Sequence, residues 1–116
     1  MTASLLSEHD LLVLDLDGVV YVGPDAVPGA VDALAAAIQA GVALRYVTNN
    51  ASRTPAQVAA HLRRLGVPAR DTEGVTASQA AARLVAEKTG PGAAVLAVGG
   101  PGVAAALRAE GLTVVT

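Results

Sequence analysis

The stretch Leu11-Leu12-Val13-Leu14-Asp15-Leu16-Asp17-Gly18-Val19 decides the fold. Its first half is a short apolar run, the pattern of a buried strand. It closes on two acids two positions apart, and then on a glycine that lets the chain turn. Apolar runs and helical patterns alternate from there. Val42 to Val47 predicts a second strand, Ala93 to Val98 a third and Leu112 to Val115 a fourth. Pro28 opens a helix that Gly41 closes, with Val31, Leu34 and Ile38 on one face. Thr54-Pro55-Ala56-Gln57 and Thr76-Ala77-Ser78-Gln79 are capping boxes, and they start helices that stop at Gly66 and Gly90. Val103 and Leu107 mark a fourth helix, stopped by Gly111.

Strands that alternate with helices predict an α/β fold: a three-layer, Rossmann-like parallel sheet with helices on both faces. Ligands of such sheets sit beyond the carboxyl ends of the strands. The polar residues expected there are Asp15 and Asp17 after the first strand, and Thr48, Asn49 and Asn50 after the second. Paired carboxylates can hold a hard cation through oxygen. They can also divide roles, one attacking phosphorus and the other moving a proton. A carboxylate and a phosphate repel, so this chemistry calls for Mg²⁺. A hydroxyl and two amides can donate to phosphate oxygens. Positions i and i+2 of a strand share a face, although the turn at Gly18 can rotate Asp17 away. Taken singly, an acidic pair also suits a solvated strand end, and Asn-rich turns also suit a helix-entry loop.

Composition removes other classes. Net charge is −2 with both signs dispersed, and the two tyrosines are the only aromatic residues besides histidine. That excludes a basic nucleic-acid footprint and a base-stacking platform. No run of about 18 apolar residues exists, so no membrane span is expected. The absence of cysteine rules out disulfides and thiolate metal sites and fits a cytoplasmic protein. The N-terminal lead lacks a basic segment followed by an apolar one, so a secretory signal is not expected.

Asp15-Leu16-Asp17-Gly18-Val19 and Val47-Thr48-Asn49-Asn50, the latter followed by Ser52-Arg53-Thr54, resemble the first two motifs of the haloacid dehalogenase superfamily. The likeness is to the branch of NagD-type nucleotidases, p-nitrophenyl phosphatases, phosphoglycolate phosphatases and pyridoxal phosphate phosphatases, and it runs along essentially the whole chain. It implies a Mg²⁺-dependent phosphatase that hydrolyses small phosphate monoesters through an aspartyl-phosphate. Asp15 is then the nucleophile and a metal ligand. Asp17 is the general acid/base and lends its backbone carbonyl to the metal. Thr48 and Asn49 hold the phosphoryl group, Asn50 shapes the site, and residues 18–27 form a flap.

By the same resemblance, residues 1–116 are the N-terminal half of the core domain. The cap, a later Lys motif and a later acidic metal-binding motif are absent from this chain, so little turnover is expected of it alone. Lys88, the only lysine, falls near the end of the third helix, where it complements the helix dipole. The first strand is central in that family's sheet. Here it is expected to expose an apolar edge, covered by a second copy or by a complementing C-terminal half.

A competing motif is Gly100-Pro101-Gly102-Val103-Ala104-Ala105, which matches the dinucleotide-binding G-x-G-x-x-A between a strand and a helix. It makes a Rossmann cofactor module using Gly100 and Gly102 the alternative function, although that leaves Asp15 and Asp17 without a role. A phosphoacceptor signalling domain fits less well, because its acidic pair and its acceptor lie on different strands. Arg53 is a further candidate for substrate contact. His61 is expected at the surface of its helix, and His9 lies in the N-terminal lead; neither has a partner at metal-ligand spacing.

Overall fold

The computed structural model describes residues 5–116. After a short 3-10 turn (Leu5–Glu8), strand β1 (Leu11–Asp15) leads into a small antiparallel hairpin, β2 (Tyr21–Val22) and β3 (Asp25–Ala26). Helix α1 (Ala30–Gln39), strand β4 (Ala43–Thr48) and helix α2 (Pro55–Arg64) follow. A 3-10 turn (Asp71–Glu73) precedes β5 (Gly74–Thr76) and α3 (Ala77–Thr89). The chain closes with β6 (Ala94–Leu96), α4 (Pro101–Ala109) and β7 (Thr113–Val115).

Both capping boxes form. The Thr54 hydroxyl accepts the Gln57 N–H at 3.1 Å while the Gln57 side chain accepts the Thr54 N–H at 2.9 Å. Thr76 and Gln79 repeat the exchange at 3.2 and 2.9 Å. Each pair satisfies two N–H groups that a helix start otherwise leaves without partners. Helix α1 begins later than Pro28 suggests. Gly29 takes a left-handed conformation (φ 84°) as its N-cap, so the first helical residue is Ala30.

β1, β4 and β5 form a parallel sheet in the order β1-β4-β5, with Leu12 opposite Leu44 and Leu14 opposite Tyr46. β5 is not evident in the sequence, because three residues beginning with glycine carry no strand periodicity. β6 and β7 pair in parallel with each other as a separate two-stranded sheet.

The interior is correspondingly double. Leu44 and Tyr46 of β4, Leu34 and Ala37 of α1, and Val58, Ala59 and Leu62 of α2 share one cluster with Leu16, Val20 and Tyr21. Ala82, Ala106, Leu107 and Leu112 form a second, between α3, α4 and the β6–β7 pair. The described chain is accordingly elongated, 57 × 29 × 19 Å. On the opposite face of the three-stranded sheet Leu11 (49% exposed), Val13 (55%) and Val75 (45%) are uncovered. Among the described residues β1 is also the last strand on its side, which leaves the bare apolar edge the sequence predicts. Among the described residues no helix is long and apolar enough to cross a membrane.

Candidate active site

The carboxyl ends of β1, β4 and β5 open onto a cleft of about 420 Å³ lined by Asp15, Val47, Thr48, Asn49, Val75, Thr76 and Ala77. Three of the five expected site residues, Asp15, Thr48 and Asn49, therefore meet. Strand alternation alone would separate two of them. Asp15 has the parity of Leu11 and Val13 on the bare face, whereas Thr48 has that of Leu44 and Tyr46 on the covered face. They share a cleft because both terminate their strands and the cleft lies across the strand ends. Asp15 is exposed, and its Oδ1 accepts the Leu16 N–H at 2.8 Å. Thr48 is buried, and its hydroxyl accepts the Asn50 N–H at 3.1 Å.

Asp17 does not line the cleft. The Leu16 carbonyl accepts N–H groups from Val19, Val20 and Tyr21 (3.1, 2.9 and 3.3 Å), and Gly18, at φ 81°, donates to the Tyr21 carbonyl at 2.8 Å. This tight loop turns Asp17 off the strand axis and pairs it with Tyr21 through an isolated bridge. The Tyr21 phenol feels the charge of both acids. Burial pushes its pKa up, and the Asp17 charge pushes the same way. The charge of Arg53 and its hydrogen bond to the phenol pull it down, and Asp15 again raises it. The Tyr21 phenol is thus hydrogen-bonded to Arg53 and within electrostatic reach of both carboxylates. Tyr21 had no signal of its own in the sequence beyond its place in the expected flap.

Asn50 also lies off the cleft lining. Its Oδ1 accepts the Ser52 N–H at 3.0 Å and the Ser52 hydroxyl at 2.6 Å, which closes the loop that leaves β4. Two outside contacts brace that loop. The Ser78 hydroxyl donates to the Ala51 carbonyl at 2.7 Å, and the Gly102 N–H donates to the Ser52 carbonyl at 2.9 Å. Val75, Thr76 and Ala77 also line the cleft, and the sequence pattern missed them. The Thr76–Gln79 capping box was legible, but the strand before it was not, so nothing in the sequence marked Thr76 as a carboxyl strand end like Thr48.

The glycines of the competing motif have a different use. A Cβ on Gly100 would come 2.7 Å from Ser52 Cβ, and one on Gly102 would come 2.6 Å from the Ala51 carbonyl oxygen. The chain's own Ala51–Arg53 loop occupies the close approach that a pyrophosphate would need. The dinucleotide alternative is thereby disfavoured, and Gly100 and Gly102 serve helix-to-loop packing.

His61 corrects a second expectation. It is not at the surface but 4% exposed. Its Nε2 lies 2.9 Å from the Gly23 carbonyl, so this nitrogen carries the proton and donates. Its ring meets Tyr21 edge-on, centroids 4.4 Å apart.

A family model described as haloacid dehalogenase-like hydrolase matches residues 12–113. This chain belongs to the haloacid dehalogenase-like hydrolases. It is 45% identical over 109 residues to D-glycerol 3-phosphate phosphatase of Mycobacterium tuberculosis, covering 94% of this chain and 30% of that protein. Glycerol-3-phosphate phosphatase of Gallus gallus is 42% identical over 110 residues, covering 94% and 35%. A crystal structure of the Mycobacterium tuberculosis glycerol phosphate phosphatase in complex with magnesium superposes with a TM-score of 0.88 at 44% identity, over 98% of this chain and 34% of that one. The chain thus spans about a third of the length of these hydrolases. Among the described residues no group of three or more His, Cys, Asp or Glu side chains could hold a metal. The donors present still suit Mg²⁺, a hard ion commonly held by one or two carboxylates plus waters and substrate phosphate.

Proposed function

We propose that this chain carries the nucleophile and phosphate-binding half of a Mg²⁺-dependent phosphatase acting on small phosphate monoesters. The observation that carries this reading is the shared cleft of Asp15, Thr48 and Asn49 at the strand ends. Similarity to glycerol phosphate phosphatases makes glycerol 3-phosphate the first substrate to test.

In this reading an Asp15 carboxylate oxygen attacks phosphorus, and the bond from phosphorus to the substrate oxygen breaks. Asp17 gives its proton to the departing alkoxide. It then takes a proton from the water that cleaves the aspartyl-phosphate, returning Asp15 and releasing inorganic phosphate. The Thr48 hydroxyl and Asn49 amide donate to the phosphoryl oxygens, while Asn50 acts through the loop it closes. Mg²⁺ held by the Asp15 carboxylate and the Asp17 backbone carbonyl would offset the charge between nucleophile and phosphate.

The test is phosphate release from glycerol 3-phosphate and p-nitrophenyl phosphate by the intact protein with Mg²⁺. Asp15→Asn should abolish turnover. Asp17→Asn should slow it by roughly a hundredfold or more. Activity retained in Asp15→Asn would remove this residue from its role.

Residues 1–116 are read as the first half of a core domain, with the cap, the lysine and the further acidic ligands lying outside them. A complementing C-terminal half, or else a second copy, would cover Leu11, Val13 and Val75. A cytoplasmic location belongs to the same proposal and is supported by the cysteine-free composition.

A further inference from the structure

The β2–β3 hairpin has only two paired positions, Tyr21 with Ala26 and Val22 with Asp25. A two-stranded hairpin of that size does not hold itself in water. At its base, Val20 and Tyr21 are buried, and the Val27 N–H donates to the Val20 carbonyl at 2.8 Å. At its tip the anchor is remote in sequence: His61, on α2, donates from Nε2 to the Gly23 carbonyl at 2.9 Å. The other ring nitrogen, Nδ1, faces the Arg64 guanidinium at 3.4 Å, which suits an unprotonated acceptor. One ring therefore holds the hairpin turn while it packs against Tyr21 in a T-shaped contact, the two ring planes at 77°.

Tyr21 transmits that grip. Its carbonyl accepts the Gly18 N–H, its N–H donates to the Leu16 carbonyl, and its backbone bridges Asp17. Fixing Tyr21 fixes the Leu16–Tyr21 loop, and with it the position of Asp17.

We propose that His61 is a positioning residue that latches the hairpin to α2 and, through Tyr21, sets where Asp17 stands beside the cleft. The consequence for turnover rests on the phosphatase reading; the latch itself does not.

The test uses the intact protein in two variants. His61→Leu keeps apolar volume without the donor, and His61→Gln keeps an N–H at comparable reach. Amide hydrogen exchange at Gly18 and Val27 should accelerate about tenfold in His61→Leu, with Leu44 and Tyr46 in β4 unchanged, and should return to within about twofold of wild type in His61→Gln. For turnover of p-nitrophenyl phosphate, kcat should fall about tenfold in His61→Leu with KM within about twofold, and His61→Gln should recover most of it. Unchanged exchange at Gly18 in His61→Leu overturns the latch, as does acceleration spread equally over the β4 amides. A loosened Gly18 with an unaltered kcat overturns the link to Asp17. If wild type releases no phosphate, the phosphatase reading fails, and the exchange pattern still decides the latch.

Discussion

The backbone N–H of Gly102 donates to the carbonyl of Ser52 at 2.9 Å, joining the first turn of α4 to the loop that leaves Thr48, Asn49 and Asn50 at the cleft. Two hydrophobic clusters that share no strand ladder meet here, through backbone atoms close enough to exclude a side chain. The loop's geometry is thus set as much by α4 as by β4.

Gly102→Ala should therefore disturb the site from outside it. The added methyl would clash with the Arg53 and Ala51 carbonyl oxygens, which are backbone atoms and yield poorly. We expect a loss of about 1–3 kcal/mol in urea unfolding and weaker phosphate binding. Gly111→Ala is a useful contrast. Nothing lies near its Cβ, so its cost comes from the positive φ alone and should leave phosphate binding unaltered.

The uncovered edge of β1 predicts behaviour of the 116-residue chain in isolation. Leu11 and Val13 face solvent on a strand that is paired on one side only. The chain should self-associate, and Val13→Lys should shift it toward monomer, as read by light scattering after size-exclusion chromatography. A chain that is monomeric at high concentration without the substitution would remove the need for any covering partner.

Burial pushes the Tyr46 phenol up to about 12, with the nearby Glu73 charge adding to the effect. The folded state thus keeps a proton that the unfolded chain gives up near pH 10. Stability is fully present below pH 10 and is lost as the pH rises toward 12, because the unfolded state binds fewer protons in that window. A shift of this size corresponds to roughly 2–3 kcal/mol. Urea unfolding at pH 8, 10 and 11.5 should show the decline, and Tyr46→Phe should flatten much of it. Tyr21, also raised, contributes with the same sign.

Thr54→Ala removes one half of a formed capping box at the start of α2. A loss of about 1 kcal/mol is expected in chemical unfolding. Thr76→Ala should cost more, because Thr76 is buried and also borders the cleft, so its loss should weaken phosphate binding too.

The sequence by itself determined whatever is written in local order. Apolar runs fixed β1, β4, β6 and β7 to within a residue or two, and Thr-x-x-Gln boxes with following glycines fixed α2 and α3. The rule that ligands gather at carboxyl strand ends then singled out Asp15, Asp17, Thr48, Asn49 and Asn50, of which Asp15, Thr48 and Asn49 meet at one cleft. Tertiary structure alone decided the rest. β5 exists because Gly74–Thr76 finds β4 to pair with. His61 is buried because the hairpin folds over α2 and supplies a carbonyl to its ring. Gly100 and Gly102 resemble a cofactor turn in sequence, yet they accommodate the Ala51–Arg53 loop, about fifty residues earlier in the chain. Asp17 and Asn50 leave the cleft lining because each sits in a turn closed by hydrogen bonds to neighbours. Propensity and periodicity act over a few residues, whereas burial, close approach and side-chain aim depend on which distant segment arrives, and only the packed chain supplies that.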